Sequence, residues 1–233
     1  MKKLLIALIT LSFLSCSQNN QKIKLSYKIP KEKTYTYAFS MESKKLTITQ
    51  EIDFKVVSTK QNVLEVNAEI KKMYWKSNSA LDKETNEYYQ RNFIDRPVVF
   101  KINKQGKVIE NLKYLHSNQK MELLFDINNF FIELPNDTIQ PGYSWKRTRP
   151  IDDVIFNEVT TTYTLKKIIK DSLAYINVFS DLKGDAEGFT KSFNGIYLLN
   201  IKNGMLEEGK LEITGFNGFN NISGDIRIYK NNL

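Results

Sequence analysis

The chain has 233 residues, 41% of them hydrophobic and 12% aromatic, enough apolar material for one sizeable core or two small ones. Charged residues make up 26% and are well mixed, with only 10 glycines and 5 prolines, which excludes a disordered, low-complexity or collagen-like chain. The net charge of +8 comes mostly from lysines scattered singly along the sequence, without an aromatic RNA-stacking motif, so it reads as a solvated surface and not as a nucleic-acid interface; attraction to anionic lipid headgroups is the alternative use.

Residues 1–16, "MKKLLIALITLSFLSC", have the parts of an export signal. Lys2 and Lys3 supply a positive start, and Leu4 to Leu14 form an apolar stretch too short for a spanning helix, which needs about 20 residues. Cys16, the only cysteine, follows directly. This start resembles a bacterial lipoprotein signal: Ser15 is small as that pattern wants, while Phe13 and Leu14 depart from its usual leucine and small residue. The resemblance implies cleavage before Cys16, acylation of Cys16, and a short polar tether over 16–22. Two other routes remain open on the same residues: an ordinary small-x-small site, Ser15-Cys16-Ser17, cut before Gln18, or an uncleaved segment. With Cys16 acylated the folded part holds no thiol, so disulfides, thiol catalysis and thiolate-bound metals are excluded for it. No aspartate follows Cys16 and no acidic cluster comes after it, which favours the outer membrane and the periplasmic side.

From Ile23 onward the dominant period is two, the mark of strands with one wet and one dry face. "IKLSYKI" (23–29), "YTYAFSM" (35–41), "LTITQEIDFKV" (46–56) and "VLEVNAEI" (63–70) all alternate, with turn residues between them. One segment breaks the pattern. In "HSNQKMELLFDINNFFIEL" (116–134), Met121, Leu124, Phe125, Asn128 and Phe131 fall at helical spacing, Ser117 is a candidate N-cap and Pro135 a stop, so a linking helix is expected over about 117–133. The chain then repeats itself loosely. "EIDFKVVSTKQNVLEVNAEI" (51–70) echoes "TTYTLKKIIKDSLAYINVFS" (161–180), and "VFKINKQGKVI" (99–109) echoes "YLLNIKNGMLE" (197–207). Two quasi-repeats, about 23–115 and 141–230, are expected within a single β-rich domain spanning 23–233.

The lipoprotein start, the "KTYTY" strand, the "KINKQGKVIE" hairpin, the helix, the "LPNDTIQPGYSW" turn and the "YLLNIKNGMLEEGKLE" hairpin together resemble an uncharacterised family of bacterial lipoproteins, a domain of unknown function. That resemblance implies location and architecture, not activity. More distantly, an open sheet wrapped around a helix resembles the lipoprotein carriers of the bacterial envelope, by fold type alone.

Catalytic signatures are missing from the sequence. His116 is the only histidine, and with no thiol beside it the usual zinc site cannot be built. There is no nucleophile elbow, phosphate loop, dinucleotide fingerprint or His-Glu-x-x-His. Asp181, Asp185 and Glu187 in "DLKGDAEG" read as a hairpin tip, since the calcium-loop pattern is absent. The adjacent pairs Asp152-Asp153 and Glu207-Glu208 would point to opposite faces of a strand and so need not act as acid–base couples. "GFNGFNNISGD" (215–225) reads as a flexible turn or as a mobile rim carrying exposed aromatics.

The expected fold is therefore mainly β (α+β), a curved antiparallel sheet or barrel-like body with one helix. The expected function is that of a lipid-anchored, non-enzymatic module binding an apolar or amphiphilic ligand, with no cofactor, no metal and no nucleic-acid partner. A structural or accessory lipoprotein acting through protein contacts is the rival reading, and a hydrolase is disfavoured. Tyr35, Tyr37, Phe39, Trp75 and Trp145 are the candidate pocket-lining residues, because aromatic rings supply much of the area of apolar sites.

Overall fold

The alternating segments pair into one antiparallel sheet. The structure, a computed structural model, describes residues 21–77, 79–114, 127–151, 155–184, 189–217 and 221–231. Its strands are β1 (Thr34–Ser43), β2 (Thr47–Lys60), β3 (Val63–Lys76), β4 (Val98–Asn103), β5 (Val108–Tyr114), β6 (Ser144–Pro150), β7 (Glu158–Ile169), β8 (Leu173–Lys183), β9 (Phe189–Asn200), β10 (Leu206–Asn217) and β11 (Asn221–Asn231). The order across the sheet is β5-β4-β3-β2-β1-β11-β10-β9-β8-β7-β6, so it is open, with β5 and β6 as its edges. The first half winds outward from the centre and the second half winds back to it. The β1–β11 pairing, from Thr36 opposite Asn231 to Ser43 opposite Gly224, joins them.

The segments that echo one another in sequence hold equivalent places. Tyr35 pairs with Phe54 across β1–β2, as Trp145 pairs with Tyr163 across β6–β7. Gln61-Asn62 and Lys170-Asp171 both turn their hairpins through left-handed backbone, the conformation that matches the twist of flanking strands. At the β4–β5 and β9–β10 turns, Asn103 and Asn203 each accept a backbone N–H with a side-chain oxygen, from Lys107 and Met205. Each of these turns closes on a glycine at positive φ, Gly106 and Gly204. A Cβ on Gly106 would lie 2.4 Å from the Ile132 carbonyl oxygen, and one on Gly204 would lie 2.6 Å from that of Ser26. Both positions thus need glycine twice, for conformation and for space.

Those close approaches come from two irregular segments that fill one end of the concave face. Ile23, Leu25, Tyr27 and Ile29 alternate as expected and are buried, but among the described residues the only ladder contact of this stretch is a bridge from Ile23 to Ile139. Instead it runs across both glycine turns: Tyr27 N–H donates to the Lys104 carbonyl at 2.8 Å, and Lys28 N–H to that of Asn203 at 3.0 Å. The second segment holds the end of the helix expected over about 117–133, most of which lies outside the described residues. Residues 115–126 lie outside the described residues; from Ile127 to Asn129 there is a single 3-10 turn, followed by chain without a regular element. Ile127, Phe130, Phe131, Ile132 and Leu134 are all buried. So many closely spaced buried side chains need contacts on every side, which one face of a helix cannot provide. Phe130 packs on Tyr37 and Phe54, and Phe131 on Tyr27, Phe54 and Phe100, with ring centroids 5.2–5.6 Å apart.

The helix of the described residues lies elsewhere, at α1 (Asp82–Asn92), and it buries no residue. Its position follows from unequal strand lengths. Pairing with β4 covers β3 only from Val63 to Ala68, leaving the far part of β3 as an exposed edge. Polar side chains of α1 take over the missing ladder bonds. Asn86 accepts the Trp75 N–H and donates to the Trp75 carbonyl, both at 2.7 Å, Gln90 donates to the Met73 carbonyl, and Asp82 accepts the Ser77 N–H. An uncovered strand edge is a template for aggregation, and α1 covers this one. Asn86→Ala is expected to destabilise the domain by about 1–3 kcal/mol, since it strips both backbone groups of Trp75 of their partner. Urea denaturation should show a lower midpoint with an unchanged slope.

Candidate functional site

At the other end of the concave face the described residues leave a hollow. A cavity of about 210 Å³ opens there, framed by β1 and β6–β11 and by Asn128 and Asn129 of the 3-10 turn. That many strands can line one hollow only because the sheet curls around it.

The lining is chemically two-sided. Phe39 and Met41 from β1, Leu211 and Ile213 from β10, and Ile226 from β11 make one wall wholly apolar. The facing wall, from β6–β9, mixes apolar residues with Arg149, Thr161, Tyr163, Ser180, Lys191 and Tyr197. Register places these groups. Arg149 lies opposite Val159 across β6–β7, and Thr161 lies opposite Ser180 across β7–β8. The Thr161 and Ser180 hydroxyls are 2.8 Å apart. The Lys191 ammonium sits 5.5 Å from the Phe193 ring centroid, within cation–π reach. No described lining residue is acidic.

Burial sets the protonation of this wall. It pushes the Tyr163 phenol up to about 12, with the Arg149 charge opposing, and it holds the Tyr197 phenol well above its ordinary range. Burial also lowers Arg149 from its ordinary value, with the neighbouring phenols of Tyr163 and Tyr197 opposing. At neutral pH both phenols are therefore neutral donors and the guanidinium stays charged.

Of the five aromatics expected to line a pocket, Phe39 lines this one; its ring also packs 6.2 Å from Phe130. The other four are placed elsewhere. Tyr37 is fully buried, packs on Phe130 and Phe54, and donates its hydroxyl to the Leu206 carbonyl at 2.8 Å. Tyr35 is buried beneath the ammonium groups of Lys33 and Lys230, and Lys230 is ion-paired with Glu207. Trp75 is half-buried and packs on Tyr89 of α1. Trp145 stacks on Tyr163 at 5.2 Å and donates its indole N–H to the Glu133 carbonyl, plugging the filled end from behind the cavity.

The polar wall is absent from the sequence expectations. Its trace in the sequence is a polar group on the dry face of an alternating strand, such as Ser180 in line with Ile176 and Val178, or Arg149 in line with Trp145. Glu207 and Glu208 separate: Glu207 bonds Lys230 and Glu208 bonds Lys210. Asp181 sits on β8 opposite Thr160. Cys16, His116, Asp152-Asp153, Asp185, Glu187 and the tip of the 215–225 turn lie outside the described residues. Among the described residues no three His, Cys, Asp or Glu side chains gather as a metal site would require, and no helix is long and apolar enough to cross a membrane.

A scan against models of known protein families gives no match to this sequence, and a search of curated proteins gives none.

Proposed function

We propose that this chain is a lipid-anchored envelope protein, held by acyl chains on Cys16 in the outer membrane facing the periplasm, whose domain binds an apolar or amphiphilic molecule without transforming it. The observation that carries the reading is the cavity at the unfilled end of the sheet, with its apolar wall of Phe39, Met41, Leu211, Ile213 and Ile226. A sheet of this curvature could have been packed shut along its whole concave face, as it is around Phe130 and Phe131. Leaving one end hollow forfeits dispersion contacts, and occupancy by an apolar molecule restores them.

Native mass spectrometry of the full chain, purified from its host and released from mild detergent, is expected to show the protein mass plus a co-purifying small molecule that dissociates at raised collision energy. A single apo mass across preparations would favour instead an accessory lipoprotein acting through protein contacts.

A further inference from the structure

One polar group of the mixed wall is left without a bond. Arg149 and Lys191 are already engaged with other groups of the chain. The Thr161 and Ser180 hydroxyls bond each other, and Tyr163 lies beside that pair. The Tyr197 hydroxyl donates to no described residue, although Tyr197 is 3% exposed and lines the hollow. Tyr27 and Tyr37 are buried as deeply, and each donates to a backbone carbonyl, at 3.1 and 2.8 Å. A buried phenol normally finds such a partner. The position of Tyr197 is set from behind. Gly209 lies opposite it across β9–β10, and a Cβ there would lie 2.8 Å from the Tyr197 ring, so the ring rests on bare backbone. Burial keeps the phenol protonated, so it is a donor in want of an acceptor.

The shape of the hollow says where that donor stands. Its lining on β9 runs from Tyr197 to Lys191, six residues or about 20 Å along the strand. Tyr197 is at the inner end, beside Tyr27 of the filling segment. Outward from it, Leu211 opposite Gly195 and Ile213 opposite Phe193 continue the apolar lining. A charged head at the inner end would be desolvated beside cations that are already engaged, which is costly. A plain hydrocarbon would leave the phenol unbonded. An uncharged oxygen at one end of a chain meets both demands.

We propose that the cavity holds an uncharged single-chain molecule with a carbonyl-type oxygen at its inner end, that oxygen accepting the Tyr197 O–H and the chain lying along Leu211, Ile213 and Ile226. This rests on the binding role proposed above and narrows it to a ligand class.

The test is calorimetric titration of the full chain and of Tyr197→Phe, each held in phosphatidylcholine nanodiscs, with empty nanodiscs as the blank. The probes are 2-decanone and 2-methyl-1-decene, in which a methylene replaces the ketone oxygen. Partition into the lipid is the same for both proteins and cancels in their ratio. 2-Decanone is expected to bind Tyr197→Phe about 3- to 10-fold more weakly than the unaltered chain, the effect of one neutral hydrogen bond, while the alkene binds both within about twofold. Without ligand, Tyr197→Phe should melt no lower than the unaltered chain, because it removes a buried donor that has no partner. A lower melting temperature would assign the hydroxyl a bond within the fold and overturn the inference. Decanoate, the charged analogue, should bind more weakly than the ketone, and tighter binding would overturn the uncharged class. Should the variant fail to fold, the infrared carbonyl band of 2-decanone bound to the unaltered chain decides: a frequency below that in hexane supports the bond, and an equal one overturns it. Equal ketone affinity in the two proteins would mean that water alone meets the phenol; it would overturn this inference and leave the binding role standing. Binding of no probe would overturn both.

Discussion

Truncating Phe131 to alanine is expected to destabilise the domain by about 3–5 kcal/mol, the range for removing a buried aromatic side chain from a packed core. For a chain of this size that lowers the melting temperature by roughly 10 °C or more. Phe131 is 1% exposed and sits on an irregular segment, not on a strand. Its ring meets Tyr27 from the N-terminal segment, Phe54 from β2 and Phe100 from β4. No neighbouring strand can slide inward to fill the space, because β2 and β4 are fixed in register through β3. The cavity left behind therefore relaxes poorly, which places the cost toward the upper part of the range. Phe179 is the control. It is as large, but it lies 49% exposed on β8, and Phe179→Ala should move stability by no more than about 0.5 kcal/mol. If the two variants melt together, Phe131 does not hold the filled end closed, and some other contact must.

The contrast between these two residues shows how far the sequence can be read. Period-two alternation reports which face of a strand is dry, and it locates β1, β2, β3 and the β4–β5 and β9–β10 hairpins. It does not report what lies on the dry face. Tyr37, Phe39 and Trp145 all point inward as their spacing requires, yet one lines a hollow and two are core. The difference is made by contacts from far along the chain: Tyr37 is closed in by Phe54, Phe130 and the Leu206 carbonyl, and Trp145 is met by Glu133 from an irregular run, whereas Phe39 has Phe130 on one side and the hollow on the other. Filling of this kind leaves no periodic trace. The described end of the expected helix, from Ile127 onward, differs for a related reason: apolar residues at 131 and 132 flanked by others at 127, 130 and 134 satisfy helical spacing and a fully buried run equally well. In α1 the opposite holds. "DKETNEYYQRN" has no apolar stripe to find, since its task is to satisfy a strand edge through Asn86, Gln90 and Asp82.

Cys16→Ala is expected to abolish incorporation of labelled palmitate and to move the protein from the membrane pellet to the soluble fraction. The expectation rests on chemistry at one position. Lipid attachment through a thioether needs the only sulfhydryl in the chain, and no other side chain can replace it. Each buried methylene contributes about 0.8 kcal/mol, and more than one acyl chain gives anchoring that does not reverse on the timescale of fractionation, so the effect should be nearly complete. The rival processing route, a cut before Gln18, predicts no label in either form and identical fractionation, and label surviving the substitution would refute the anchor outright. Anchoring also bears on the cavity. Ile23 is tied to the domain through its bridge to Ile139, so only the tether from Cys16 to Lys22 would separate the lipid from the fold. A tether of that length reaches at most about 25 Å when fully extended. An anchored domain is therefore held within that distance of the bilayer surface, where single-chain amphiphiles are concentrated. The alanine variant, free in solution, should lose co-purifying ligand along with the membrane even though every cavity residue is unchanged. If the soluble variant keeps its ligand at full occupancy, then loading does not depend on the anchor, and the two parts of the proposed function act separately.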